Sequence, residues 1–370
     1  PKGVAYEHGM FNAQIGTIQA LYDIRPGEIE MPAFPLFALF NVAMGATSAI
    51  PDLDPTRPAA CDPAKIVEIM NDQGVTSTFG SPAIWNKVTR YCIEHDIRLP
   101  QLQRVLMAGA PVPSAIHQRF QNILEAPADT HTPYGATEAL PITSISGREA
   151  LAVQATRADP TAGTCVGRPV PGITLRVITI TDQPIERWDE RLSLPANQVG
   201  EIVVKGQLVT TSYINRPAAT RLAKIPEGSA TWHRMGDLGY LDDDGRLWFY
   251  GRKSHRVQLA DTCLYTEPCE LVFNQHAAVY RSALVGVRSR DGSNQPVIVI
   301  ELEAGRQPRS TAEHTRLIGE LLALGARAPM TAAITTVLFH PSFPVDIRHN
   351  AKIFREKLAV WAYERLRRHQ

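Results

Sequence analysis

Apolar positions along residues 62–125 switch between two periods. Asp62-Pro63 reads as an N-cap followed by a proline at the first helical position. Ile66, Ile69 and Met70 then recur at helical spacing, and Gly74 closes the run. Val75–Phe79 is a short apolar strand, and Pro82–Glu94 a helix with Ile84, Trp85 and Val88 on one side. Val105–Ala110 is a second strand, followed by a helix through Ile116, Phe120 and Ile123. Alternation of this kind predicts a parallel, doubly wound α/β sheet.

From about Gly167 the pattern becomes strand-rich. Ile173–Ile178, Gly200–Val204 and Leu247–Tyr250 read as strands of a small sheet or distorted barrel. Beyond Arg252, Ala283–Val287 and Val297–Leu302 are strands, and Ser310-Thr311-Ala312-Glu313 is a capping box opening a helix through Leu317, Leu321 and Leu324. A last helix spans residues 353–367, with Phe354, Leu358 and Trp361 facing inward. The fold class is therefore α/β: a large unit of helix-covered parallel sheet plus distorted barrel, then a small C-terminal α+β domain. No internal repeat or low-complexity tract interrupts the chain.

Composition narrows the function classes. The 370 residues are 44% hydrophobic and 20% charged, as in an ordinary globular protein. A net charge of +1 provides no electrostatic case for nucleic acid or an anionic membrane. Five scattered cysteines without metal-ligand spacing point to a reducing, cytoplasmic setting. No apolar run is long enough to span a bilayer, and no signal peptide is visible.

Two runs carry specific chemistry. Residues 232–252 read Trp-His-Arg-Met-Gly-Asp-Leu-Gly-Tyr-Leu-Asp-Asp-Asp-Gly-Arg-Leu-Trp-Phe-Tyr-Gly-Arg. Asp237, after Gly236, presents a carboxylate suited to two vicinal ribose hydroxyls. Asp242-Asp243-Asp244-Gly245 is a hairpin signal between Leu238–Leu241 and Leu247–Tyr250. Arg252 is a permanently charged fork for ribose and phosphate oxygens. In Tyr134-Gly135-Ala136-Thr137-Glu138, Tyr134 offers a face for adenine and Gly135 a close backbone approach. Thr137 offers a hydroxyl for phosphate, and Glu138 a hard oxygen ligand for Mg²⁺. Taken singly, each run also reads as a solvated polar turn.

In their order along the chain these runs resemble the adenylate-forming enzymes: acyl-CoA synthetases, fatty acyl-AMP ligases and luciferases. Further runs match by resemblance. Pro1-Lys2-Gly3-Val4 is similar to the end of that family's phosphate loop, which places Lys2 at the nucleotide and predicts a fragment covering about the last two thirds of a typical member. Met107-Ala108-Gly109-Ala110-Pro111 resembles the adenine-lining turn, with Gly109, Ala110 and Pro111 as nucleotide contacts. Gly167–Gly172 and Gly200–Gly206 resemble scaffold turns and strands, and Tyr213 follows Ser212 where Gly-Tyr is usual. Ala351-Lys352-Ile353-Phe354-Arg355 resembles the Gly-Lys-Ile-x-Arg motif, making Lys352 the adenylation lysine. The resemblance implies ATP and Mg²⁺ as cofactors, Lys352, Thr137 and Glu138 as catalytic, and Glu138 as the metal ligand. It also implies a core domain over 1–252 lacking its N-terminal part, a mobile domain over 253–370, and a hinge at Ser254.

Two departures refine the expectation. Asp261 stands where CoA-using members carry a glycine beside the pantetheine arm, which argues against thioester formation. The run Pro344–Leu358 is similar to β-lactone synthetases of bacterial long-chain olefin biosynthesis. That implies activation of a long-chain 2-alkyl-3-hydroxy acid as acyl-AMP, closure by its own 3-hydroxyl, and other enzymes of the pathway as partners. A long-chain acyl-CoA synthetase or acyl-AMP ligase is the alternative, and an inactive nucleotide-binding homologue the non-enzyme alternative. Met31–Met44, proline-punctuated and apolar, lines the acyl channel by resemblance or packs as plain core; Ala38 replaces a common histidine there. His8 matches a family position of open role.

Overall fold

The computed structural model describes residues 2–156, 159–288, 292–346 and 352–368. Asp62 caps the helix Pro63–Asp72 by accepting from the Ala64 amide at 3.0 Å. Pro82–Glu94 is helical over the expected bounds, with Ile84, Trp85 and Val88 fully buried. The strands that follow these helices, Ser77–Gly80 and Arg104–Met107, are shorter than the apolar runs that predicted them. Residues 108–110 instead form the turn that leaves the sheet.

Among the described residues, a seven-stranded sheet has the order Thr47–Ser48, Ile29–Pro32, Ser77–Gly80, Arg104–Met107, Asp129–Ala136, Ala139–Ser146, Arg168–Pro169. Its first five strands are parallel; Ala139–Ser146 runs antiparallel to them, and Arg168–Pro169 antiparallel to Ala139–Ser146. The sheet is therefore mixed. The hairpin between Asp129–Ala136 and Ala139–Ser146 places Thr137 and Glu138 at its tip.

A second, curled antiparallel sheet joins Thr164–Cys165, Leu247–Arg252, Ala230–Leu241, Gly200–Gly206 and Ile173–Ile178, with Lys224–Glu227 paired to Ala230–Leu241. The predicted aspartate hairpin closes two of these strands: Asp242 accepts from the Asp244 and Arg246 amides.

A smaller C-terminal unit pairs Val279–Arg288, Asn294–Leu302 and Thr336–Phe339. Helices Thr266–Phe273, Thr311–Gly325 and Arg355–Arg367 accompany them. The capping box forms, with Ser310 Oγ accepting from the Glu313 amide at 3.2 Å. Glu313 reaches back to the Arg309 amide, one residue before the cap. Leu358 is buried, while Phe354 and Trp361 are half-buried. No helix of the described residues is long and apolar enough to cross a membrane. The five cysteines are free.

Candidate active site

Asp237 and Arg252 are partners across adjacent strands of the curled sheet. The Asp237 carboxylate is 4% exposed. Its Oδ2 accepts from Tyr134 Oη at 2.7 Å. Its Oδ1 lies 3.1 Å from Arg252 Nη1, close enough to share charge, but off-line and without a hydrogen bond. Arg252 Nη1 donates instead to the Met235 carbonyl. Burial pushes the Asp237 carboxyl up from the ordinary range, against the pull of Arg252, Tyr134 and Lys352. The Tyr134 phenol is also raised, by burial first and then by Asp237. A buried acceptor oxygen without a hydrogen bond, beside a guanidinium, fits a ligand bearing hydroxyl donors and an anion, as a nucleotide does.

The hairpin tip is braced from a different strand connection. Tyr213 Oη donates to Glu138 Oε1 at 2.5 Å. The Thr210 amide and hydroxyl both donate to the Glu138 carbonyl, at 2.9 and 3.1 Å. Tyr6 Oη donates to the Thr137 carbonyl at 2.7 Å, and Gln14 donates to Tyr6. Lys2 Nζ sits 4.2 Å over the Tyr213 ring, and Val4 bridges to Tyr213. The start of the chain is thus fixed beside Glu138.

No cluster of three or more metal-ligating side chains occurs among the described residues. Glu138 is a lone carboxylate here. That suits Mg²⁺, which is commonly held by one or two carboxylates plus substrate phosphates.

Gly135 has a reason beyond ligand approach. A Cβ there would meet the Ala139 carbonyl at 2.5 Å, so the hairpin itself demands glycine. Gly109, Ala110 and Pro111 follow Arg104–Met107, whose Leu106 is paired with His131. Three residues on from each lie Gly109, past the end of its strand, and Tyr134, still within Asp129–Ala136, so the two stand at the same end of the sheet. Lys352 comes from the C-terminal unit, where its carbonyl accepts from the Asp346 amide at 2.9 Å. Its ammonium helps hold the Asp237 carboxyl down. Arg348, His349, Asn350 and Ala351 of that motif lie outside the described residues. Arg355, at its end, grips the buried Glu270 with contacts of 2.7 and 2.8 Å.

Ser254 is exposed in the turn Lys253–His255. Gly251 precedes it at φ 109°, and a Cβ there would strike Thr266 Oγ1. Lys253 Nζ bonds the Thr181 carbonyl at 2.8 Å and Glu201 at 3.1 Å. Arg256 pairs with Asp182 at 2.6 Å. Asp261 is exposed between the short strands Val257–Gln258 and Cys263–Leu264.

The Met31–Met44 run divides between the two sides of the sheet. Met31 and Ala33 pack in the core on one side of the sheet. Phe37, Phe40 and Met44 line an apolar cavity of about 30 Å³ on the other, with Phe79 and Leu140. Ala38 is not among its lining residues. Glu30 also faces this cavity, and burial raises its carboxyl to about 7.

Sequence reasoning missed Tyr6, Thr210 and Lys224, and gave Tyr213 no role. Tyr213 followed Ser212 where Gly-Tyr is usual; the others stand in no motif, and tertiary contacts alone bring them to the Thr137–Glu138 tip.

The model of AMP-binding enzymes matches residues 1–214. The chain belongs to this family. Within it, the olefin beta-lactone synthetase of Xanthomonas campestris is 48% identical over 98% of this chain. The protein of that name from Stenotrophomonas maltophilia is 46% identical over 98%. The chain spans 64% of the length of each of these relatives. The fold of this AMP-binding enzyme also matches solved structures. Amide bond synthetase McbA from Marinactinospora thermotolerans superposes with TM-score 0.78 and 24% identity, covering 98% of this chain and 68% of that one. O-succinylbenzoate Coenzyme A Synthetase from Bacillus subtilis in complex with AMP gives TM-score 0.74 at 20% identity, covering 97% and 66%.

Proposed function

We propose that this protein activates a long-chain 2-alkyl-3-hydroxy acid with ATP and closes it to a β-lactone. The identity of 48% to a curated olefin beta-lactone synthetase over nearly the whole chain carries the reading. In the first step a substrate carboxylate oxygen attacks the α-phosphorus and pyrophosphate leaves, giving acyl-AMP. In the second the 3-hydroxyl oxygen attacks the acyl carbon, its proton is lost, and AMP leaves. An internal nucleophile benefits from proximity once the pocket holds it.

The residues divide the work. Asp237 accepts from the ribose hydroxyls, Tyr134 and the Gly109–Pro111 turn flank the base, and Thr137 donates to phosphate. Lys2, Arg252 and Lys352 supply positive charge where negative charge gathers on phosphorus. Mg²⁺ held by Glu138 would add charge neutralisation at the phosphates. The core ends at residue 252, and the unit from 253 turns about Ser254 between the half-reactions, bringing Lys352 in for adenylation. Other enzymes of an olefin pathway supply the hydroxy acid and take up the lactone.

Mass spectrometry of products tests the reading. ATP, Mg²⁺ and a 2-alkyl-3-hydroxy acid should yield AMP and a product lighter than substrate by one water. CoA should not stimulate AMP release, since Asp261 replaces the glycine of CoA-using relatives. Acyl-CoA formed from a simple fatty acid at a comparable rate would overturn the β-lactone reading.

A further inference from the structure

Lys224 is 6% exposed, and among the described residues no carboxylate stands within ion-pair distance of it. A buried cation without a counter-ion is costly, so its place calls for a reason. Its ammonium donates to the Thr210 carbonyl and, at 3.3 Å, to Thr210 Oγ1. Thr210 is fully buried and sends its amide and its hydroxyl to the Glu138 carbonyl.

These contacts form a one-way relay. An ammonium only donates, whereas a hydroxyl has one hydrogen and two lone pairs. While Lys224 occupies a lone pair of Thr210 Oγ1, the hydroxyl hydrogen is left to point at Glu138. The lysine therefore sets the direction of the bond that holds the hairpin tip. Burial lowers the ammonium to about 8, and Glu138 is its electrostatic partner, pulling it back toward the charged form against burial and Lys2.

We infer that Lys224 is a positioning residue: through Thr210 it fixes the Thr137–Glu138 turn in the orientation that receives metal-bound polyphosphate. The inference rests on the nucleotide-binding reading above. It separates two ligands. ATP with Mg²⁺ needs the turn, whereas AMP without metal is held mainly at Tyr134, Asp237 and Arg252.

Calorimetry on the full-length protein provides the test, with Lys224→Met, Thr210→Val and Thr210→Ser. The first two should weaken ATP·Mg²⁺ binding by about tenfold, the loss of one charge-assisted hydrogen bond. AMP affinity should stay within about twofold, which also shows that the variants are folded. Thr210→Ser keeps both donors and should bind both ligands like the wild type. Unchanged ATP·Mg²⁺ affinity in Lys224→Met would overturn the inference, as would equal losses for both ligands. A wild-type protein that binds neither nucleotide removes the reading on which the inference rests, and both fall together.

Discussion

Asp237 and Arg252 face each other across two strands, yet Arg252 directs its hydrogen bond to the Met235 carbonyl rather than to the carboxylate. The pair shares charge at 3.1 Å while Asp237 Oδ1 keeps its acceptor capacity. A fully satisfied ion pair would have consumed that oxygen. The arrangement sets a cation beside a buried carboxylate and leaves its Oδ1 able to receive a hydroxyl.

Asp237→Asn should therefore lose AMP affinity by roughly 10- to 100-fold, since bonds to a charged acceptor contribute about 1.5–3 kcal/mol. The fold should persist, because an amide oxygen can still accept from Tyr134. Calorimetry with AMP and a melting curve check both parts.

Lys352→Ala should slow pyrophosphate release by about 10²–10³ and leave ATP binding nearly intact. On the proposed mechanism the lysine acts on developing charge, while Tyr134 and Asp237 hold the nucleoside. Release within a few-fold of wild type, measured with labelled ATP, would remove it from adenylation.

Ser254→Pro should lower overall turnover more than nucleotide affinity. Proline fixes φ at an exposed residue between the anchored Lys253 and Arg256. Steady-state rates beside AMP binding give the split, and normal turnover would displace the hinge from this position.

Glu30→Gln should change the pH dependence of stability. Burial raises the Glu30 carboxyl from 4.5 to about 7. The folded state then holds a proton that the unfolded chain has released. Stability from this group is fully present below about pH 4.5 and is lost as pH rises through about 7. The shift corresponds to at most about 3 kcal/mol. The glutamine variant should lack this fall, as urea titrations between pH 5 and 8 would show.

Local signals in the sequence were strong where one residue decides the geometry. Asp62 before Pro63 set a helix start, and Ser310 with Glu313 another, because a cap is a contact over two or three residues. The Tyr134–Glu138 and Asp237–Arg252 runs were legible for their chemistry, but their meeting was not. Tyr134 and Asp237 are 103 positions apart and belong to different sheets. The helices His8–Tyr22 and Phe37–Ala43 were missed for another reason. Both lack capping side chains, and His8–Tyr22 is only weakly amphipathic, so tertiary packing rather than local preference settles them. The brace from Lys224 through Thr210 to Glu138 joins three separate stretches, and no single one encodes it.

Glu201 accepts from two cations at once: Arg234, equally buried beside it at 2.6 Å, and Lys253 in the turn, at 3.1 Å. The consequence concerns what departure of the turn would leave behind. Were Glu201 held by Lys253 alone, pulling the turn away would strand a bare carboxylate in the protein interior. With Arg234 staying in place, the carboxylate remains neutralised whether Lys253 is docked or not. Glu201 and Arg234 thus form a socket that is complete without Lys253, and departure of Lys253 would break only its own few bonds.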